Sequence, residues 1–285
     1  MFIEHIQEFL PQYSNLSKEE FLSVLKKSNT GNFDEFKLEK DFLLTLILIR
    51  FWQKYPDLIF KGWTCLNKIY FPYFRLSEDL DFVINQELWR AARQTLLKQY
   101  EENFVNDLKI LEVKLKPERT KFDEHKLAMF VFQYQSALDG SFQTIKIDLS
   151  LKKSLLLPST KKTIIAIYKD SVMEEIIFQD HTINCIELKE SIAEKTRASL
   201  TRKEPAIRDF FDIRYIRKNT DFDFEDKEFR QLVQRKLEEV DFEYTIDTSY
   251  SLLEQQILTD LNPVLKDSYD FDLPEIYQFI LSHKK

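Results

Sequence analysis

Two aspartates one residue apart, Asp79 and Asp81, stand in the stretch Arg75-Leu76-Ser77-Glu78-Asp79-Leu80-Asp81-Phe82. In an extended chain alternate residues point the same way. Asp79 and Asp81 therefore share a face with Val83, while Leu80, Phe82 and Ile84 share the other. Two carboxylates held that close repel each other unless a cation lies between them, which makes the pair a natural seat for Mg²⁺. A third carboxylate from a neighbouring strand would complete a two-metal site, able to activate an attacking oxygen and to steady a phosphoryl transition state. Asp148 fits that part, because it shares the polar face of an amphipathic strand with Thr144, Lys146 and Ser150. Ahead of the pair, Gly62-Trp63-Thr64 offers backbone N–H groups and one hydroxyl to a phosphate. Singly, each feature has a plainer reading. A D-x-D also occurs in turns and on solvated faces, Thr64 could be a helix N-cap, and Asp148 could be the exposed face of a hairpin. Their order along the chain favours a site.

The elements that must position these residues are readable around them. Ser17-Lys18-Glu19-Glu20 is a capping box that predicts a helix to about Lys27, and a second helix is expected from about Leu38 to Tyr55, stopped by Pro56. A short buried strand is expected over 57–60, a helical turn over Thr64–Tyr70, and the aspartate strand over 79–84. A helix over about 86–104 and a strand over 108–115 follow. Strands over 126–136 and 142–150 flank Asp139-Gly140, a hairpin-turn signal. Helices are expected over 187–202 and 206–218, and acidic helices to the end. The fold class is α+β: a mixed sheet across roughly 57–150 flanked by helices, then a helical C-terminal part.

Composition excludes other classes. Hydrophobic content of 44% with 31% charge describes a folded chain, and no apolar run approaches the roughly 18 residues that span a bilayer. Neither a signal peptide nor a membrane partner is expected, and with two cysteines, Cys65 and Cys185, a cytoplasmic location is. The net charge of −7 argues against coating nucleic acid indiscriminately, but the charge is uneven. Residues 149–169 carry five lysines and no acid, 189–218 carry nine Lys/Arg against five acids, and the chain from Asp221 carries sixteen acids against seven bases. The basic middle suits an RNA or phosphate acceptor; a charge run can equally be a solvated face.

Several stretches, in this order, resemble the motifs of the AbiEii/AbiGii toxin family. They are Glu39-Lys40-Asp41-Phe42-Leu43-Leu44, Phe60-Lys61-Gly62-Trp63-Thr64-Cys65-Leu66-Asn67-Lys68, the aspartate stretch itself, Glu187 to Ala198, Arg202, and Arg208-Asp209-Phe210-Phe211-Asp212. The resemblance spans about 39–216. It implies a nucleotidyltransferase-like domain over 39–185, preceded by a helical extension (1–38) and followed by a helical C-terminal domain (186–285). It also implies Mg²⁺-dependent transfer of a nucleotidyl group from an NTP to an acceptor hydroxyl, with tRNA or another RNA as acceptor. An antitoxin encoded nearby and a role in abortive infection or phage defence belong to the same implication. Carried over by position, Asp79 and Asp81 are metal ligands. Lys61, Gly62, Thr64, Ser77, Lys195 and Arg197 are nucleotide-binding, and Asp209 or Asp212 lines the site. Asp148 as third carboxylate comes from the strand pattern instead. By the residues alone, Lys195 with Glu194 and Arg197 also fits a solvated charge cluster, and Arg208-Asp209 and Asp212 with Arg214 fit structural ion pairs. One departure stands out. The family pattern has a second glycine where this chain has Trp63. A ring there is costly if the backbone needs φ > 0, which would leave a member that binds a nucleotide or partner without turnover; otherwise the ring stacks on a nucleobase or packs on the sheet, and the turn survives on Gly62.

Overall fold

The computed structural model describes all residues except 9, 11–15, 31–32, 72, 77, 124–125, 153, 171–173, 179, 240–242, 266–270 and 285. The chain divides into two compact units, Met1–Lys153 with Ser159–Ile186, and Ser154–Pro158 with Glu187–Lys285.

The first unit is built on an eight-stranded mixed sheet. Its helices are α1 (Lys18–Ser28), α2 (Glu35–Lys54), α3 (Gly62–Cys65, running on as a π-turn to Tyr70) and α4 (Arg90–Leu108). Its strands are β1 (Ile59–Lys61), β2 (Asp79–Val83), β3 (Lys114–Leu115), β4 (Lys121–Asp123), β5 (Leu127–Gln135), β6 (Phe142–Ser150), β7 (Thr160–Thr163) and β8 (Thr182–Cys185). The order is β3-β5-β6-β2-β1-β8-β7, with β4 also on β5. The β5–β6 hairpin is antiparallel, but β6 lies parallel to β2, and β8 lies parallel to β1. β2 thus sits mid-sheet, flanked by β1 and β6.

Alternation places the core as the sequence predicts. Leu80, Phe82, Ile145, Ile147 and Leu149 are buried, while Asp79, Asp81 and Asp148 are half-exposed and Lys146 is exposed. Aromatic rings fill the space under the sheet. Phe51 of α2 stacks on Phe104 of α4 at 4.2 Å between centroids, and both Phe51 and Phe60 lean on Phe82. The capping box at Ser17 and Glu20 forms, with both reciprocal hydrogen bonds present.

Three expectations shift. The fourth helix begins at Arg90 and runs to Leu108, because Leu97, Tyr100, Phe104 and Leu108 bury at helical spacing. That periodicity overrides the alternation that suggested a strand from 108, leaving only Lys114–Leu115 extended. The sheet also reaches beyond residue 150. β7 is the lysine-rich run Thr160-Lys161-Lys162-Thr163, a charged edge strand without an apolar face.

The second unit is helical: α5 (Leu188–Thr201), α6 (Ile207–Asn219), α7 (Lys227–Glu238), α8 (Tyr250–Gln256) and α9 (Leu273–Leu281). Glu187 caps α5 by accepting from the backbone N–H groups of Lys189 and Glu190. Glu190, fully buried, accepts from the N–H groups of Leu156 and Leu157 at 2.6 and 2.7 Å and pairs with Lys236 of α7 at 2.5 Å. The acidic tail neutralises much of the basic run of this unit: Lys189 pairs with Asp226 and Glu228, and Arg214, Arg217 and Lys218 gather on Glu275.

Candidate active site

Strand register aligns the site. Lys61 of β1 pairs with Asp81 of β2, and Asp81 pairs in parallel with Asp148 of β6, so the three lie in one row across adjacent strands about 4.8 Å apart. Asp79 is two residues from Asp81 on the same face. The consequence is visible at Asp148. Burial, and then the charge of Asp79, push its carboxyl up to about 6, with Lys146 offsetting only part of this. Its Oδ1 is buried without a hydrogen-bond partner.

Gly62 opens α3 with φ +74°, a conformation that side chains rarely adopt. A Cβ built there would lie 2.0 Å from Oδ2 of Asp81, so the glycine is required twice, once for the backbone and once to admit the carboxylate. Trp63 is not at positive φ; it takes the helical backbone of α3. Its ring is buried, edge-on to Phe74 at 5.0 Å and covered by the Arg75 guanidinium at 3.9 Å from the centroid. The tryptophan is a core residue in this fold, and the turn survives on Gly62 alone. Thr64 is fully buried, and its hydroxyl donates to the backbone oxygen of Asp79 at 2.6 Å. It fastens α3 to the start of the aspartate strand. Ser77 lies outside the described residues.

The other quoted motif residues of this unit turn out to be supports. Glu39 is fully buried and reaches the β5–β6 hairpin, accepting from Ser136 Oγ at 2.7 Å and the Ala137 N–H at 2.6 Å. Lys40 pairs with Glu78 at 2.8 Å, next to Asp79; burial pushes Glu78 up, but Lys40 and Lys37 outweigh it and hold the carboxyl at about 2. Asp41 and Lys68, both fully buried, pair at 2.8 Å; Tyr168 donates to Asp41 Oδ2, and Lys68 donates to Thr45 and Tyr73, while Asp41 Oδ1 is left without a hydrogen bond. Nothing in the local sequence marks these roles, since the partners are far apart along the chain.

In the second unit, Lys195 of α5 meets Asp209 at 2.7 Å and Asp212 at 3.3 Å, both on α6, and Arg202 reaches Asp209 at 3.5 Å. The structure brings these expected residues together as a buried ion-pair cluster. Arg197 is half-buried on α5; burial lowers its pKa, with Glu194 opposing.

Among the described residues no three His, Cys, Asp or Glu side chains form a ready-made metal cage. The carboxylates of β2 and β6 still suit Mg²⁺. They are hard oxygen donors crowded against one another, one buried oxygen has no hydrogen bond, and Mg²⁺ characteristically takes one or two carboxylates and completes its shell with substrate phosphate. Among the described residues no helix is long and apolar enough to cross a membrane.

No curated protein matches the chain. Among solved structures, JHP933 from Helicobacter pylori aligns with TM-score 0.52 at 18% identity, over 88% of this chain and 91% of that one. A provisionally named nucleotidyltransferase from H. pylori aligns with TM-score 0.48 at 18% identity, over 88% and 94%. The profile of the nucleotidyl transferase AbiEii toxins, from type IV toxin–antitoxin systems, matches residues 49–281, well over half of the sequence. With that match, and with β2 and β6 setting the motif aspartates beside Asp148, the chain belongs to the AbiEii nucleotidyltransferase toxin family.

Proposed function

We propose that this nucleotidyltransferase uses the β2–β6 face to move a nucleotidyl group from an NTP to an acceptor hydroxyl on RNA, with Mg²⁺ held by Asp79, Asp81 and Asp148. The carrying observation is Asp148: a buried carboxylate oxygen without a hydrogen bond, in register with Asp81 and raised in pKa by burial and by Asp79. When bound, Mg²⁺ supplies charge neutralisation and polarises phosphoryl oxygens. The chain's own residues then do the positioning. Thr64 fixes the backbone at Asp79, and Gly62 leaves room for Asp81. Lys61, in the row of Asp81, and the N–H groups of the Gly62–Thr64 turn face the triphosphate; Ser77 is assigned to the same ligand by its motif alone. The acceptor hydroxyl gives up its proton to solvent water as its oxygen bonds to the α-phosphorus. The bond from that phosphorus to the bridging oxygen breaks, and pyrophosphate leaves with the negative charge.

In the second unit we assign Lys195 and Arg197 to phosphate binding, with Asp209 and Asp212 orienting the Lys195 ammonium. An antitoxin partner, and a role in abortive infection, complete the proposal. The test is incubation with each α-labelled NTP, total RNA and Mg²⁺. Label should enter RNA, and both Asp81→Asn and EDTA should end it. Failure of every NTP to label any acceptor would sink the assignment and leave a nucleotide-binding member without turnover.

A further inference from the structure

The groups assigned to the triphosphate, Lys61 and the Gly62–Thr64 turn, stand on β1 and α3, on one flank of β2. The other flank is formed by β6 and then β5. In phosphoryl transfer the attacking and leaving oxygens lie roughly in line, on opposite sides of the phosphorus. With pyrophosphate leaving over β1 and α3, the acceptor approaches over β6 and β5. The side chains on that part of the face therefore bear on what the acceptor is.

Strand register identifies them. Lys146 stands opposite Asp79, and along β6 it precedes Asp148 by two residues, about 7 Å, on the same face. The next residue of that face is Thr144, which pairs with Gln133 of β5, and Gln133 pairs in turn with Lys114 of β3. Lys146 and Lys114 are exposed, while Thr144 and Gln133 are half-exposed. β5 and β6 together carry one acid, Asp148, and one cation, Lys146. The face thus passes from carboxylates to an ammonium group and then to neutral hydrogen-bonding groups.

Among the described residues Lys146 makes no hydrogen bond and no ion pair, and it acts through space on Asp148, whose carboxyl it lowers only in part. Lys114 likewise makes neither, and acts through space on Glu112. The simpler role for Lys146 is that of a counter-ion to Asp148. A counter-ion supplied by the fold closes on its carboxylate, as Lys195 does on Asp209 and Asp212, and Lys146 does not. A cation beside the three aspartates also weakens their hold on Mg²⁺, a cost without return unless the charge meets an anion from outside. A hydroxyl on a neutral small molecule or on a protein side chain brings no such anion. The end of a nucleotide strand brings a phosphate next to its hydroxyl, and an ammonium meets phosphate as a point charge.

We propose that the β5–β6 face receives the acceptor as the end of a single RNA strand, with the phosphate next to the reacting hydroxyl on Lys146 and the preceding nucleotide over Thr144, Gln133 and Lys114. This deepens the transfer reaction proposed above and rests on it for the side from which the acceptor comes. The first test reads binding without chemistry. A fluorescent single-stranded RNA oligonucleotide is titrated with the full chain in the absence of NTP, and anisotropy is followed. Lys146→Gln should weaken binding about tenfold and lower the salt dependence by about one charge, and Lys146→Arg should retain most of both. The second test compares label transfer to a nucleoside, a dinucleoside monophosphate and the oligonucleotide. Wild type should favour the two acceptors that carry a phosphate by about tenfold in KM, and Lys146→Gln should erase that preference while the KM for NTP stays the same.

A counter-ion alone gives a different pattern: Lys146→Gln would lower the Mg²⁺ concentration needed for transfer and leave RNA binding and acceptor preference as in wild type. That pattern would overturn the proposal, as would a wild type that binds no single-stranded RNA. If label passes equally well to all three acceptors, the acceptor site falls and the transferase stands. If RNA binding depends on Lys146 and no label moves with any NTP, the RNA site stands and the transferase falls.

Discussion

In the first unit Asp148 lies against another carboxylate and makes no ion pair among the described residues, and its carboxyl is raised to about 6. In the second unit Asp209 and Asp212 are more deeply buried, yet they share the Lys195 ammonium. The residue types are the same; the compensation is different. A buried acid that has been given a cation by its own fold is already satisfied, and it supports the fold through that cation. A buried acid set beside a like charge raises the energy of the folded chain, and that cost is relieved when a cation arrives from outside. The second arrangement is the better mark of a binding site, and it is the one that a count of acidic residues misses.

Substitutions can break this contrast. The largest effect is expected from Lys195→Met, which strands two buried carboxylates and should cost about 3–5 kcal/mol in chemical denaturation. An unchanged unfolding curve with lost transfer would leave Lys195 its phosphate-binding role alone, with no part in holding the fold. Next, Asp81→Asn should reduce label transfer roughly 100- to 1000-fold, a loss typical of removing one stabilising group from a phosphoryl or acyl transition state, while the protein melts no lower. Parallel losses in melting and activity would contradict it.

Asp148→Asn sharpens the contrast through pH. The carboxyl takes its proton near 3.8 in the unfolded chain and at about 6 in the folded one, so wild-type stability falls as pH rises across that window and stays lower above it. The asparagine variant should be more stable at pH 8, by up to about 3 kcal/mol, and the gain should vanish below pH 4. A gain that is independent of pH would remove the electrostatic reading. Smallest, Gly62→Ala should cost about 1–3 kcal/mol through its φ of +74°, and should lower transfer further by displacing Asp81. Wild-type kinetics in that variant would show that the close approach does not matter.

Where one strand carries its own pattern, the sequence was enough. The alternation put Asp79 and Asp81 on one face of β2 and Asp148 on the polar face of β6, and the register then set Asp81 opposite Asp148. What could not be read was set by distant partners. Glu39, Asp41 and Lys68 stand in recognisable motifs, but their work is done on residues 136–137, 168 and 45. β7 escaped notice because an edge strand of lysine and threonine has no buried face to leave a period. Trp63 could be read from the sequence either as a costly replacement of a glycine in the phosphate turn or as a ring stacked on a base or packed on the sheet. Its actual place, between Phe74 and Arg75, depends on residues eleven and twelve positions on.

The parallel pairing of β2 with β6 also sets a clock. Asp81 and its register partner Asp148 are 67 residues apart in the chain, and β3, β4 and β5 lie between their strands in sequence. At translation rates of about 5–20 residues per second, roughly 3–13 s pass between synthesis of the two aspartates. A nascent chain therefore carries Asp79 and Asp81 for seconds before Asp148 is made, after most strands of the sheet have been synthesised. For a member of a toxin family, that delay gives the cell an interval in which the unfinished chain exists without its complete acidic site.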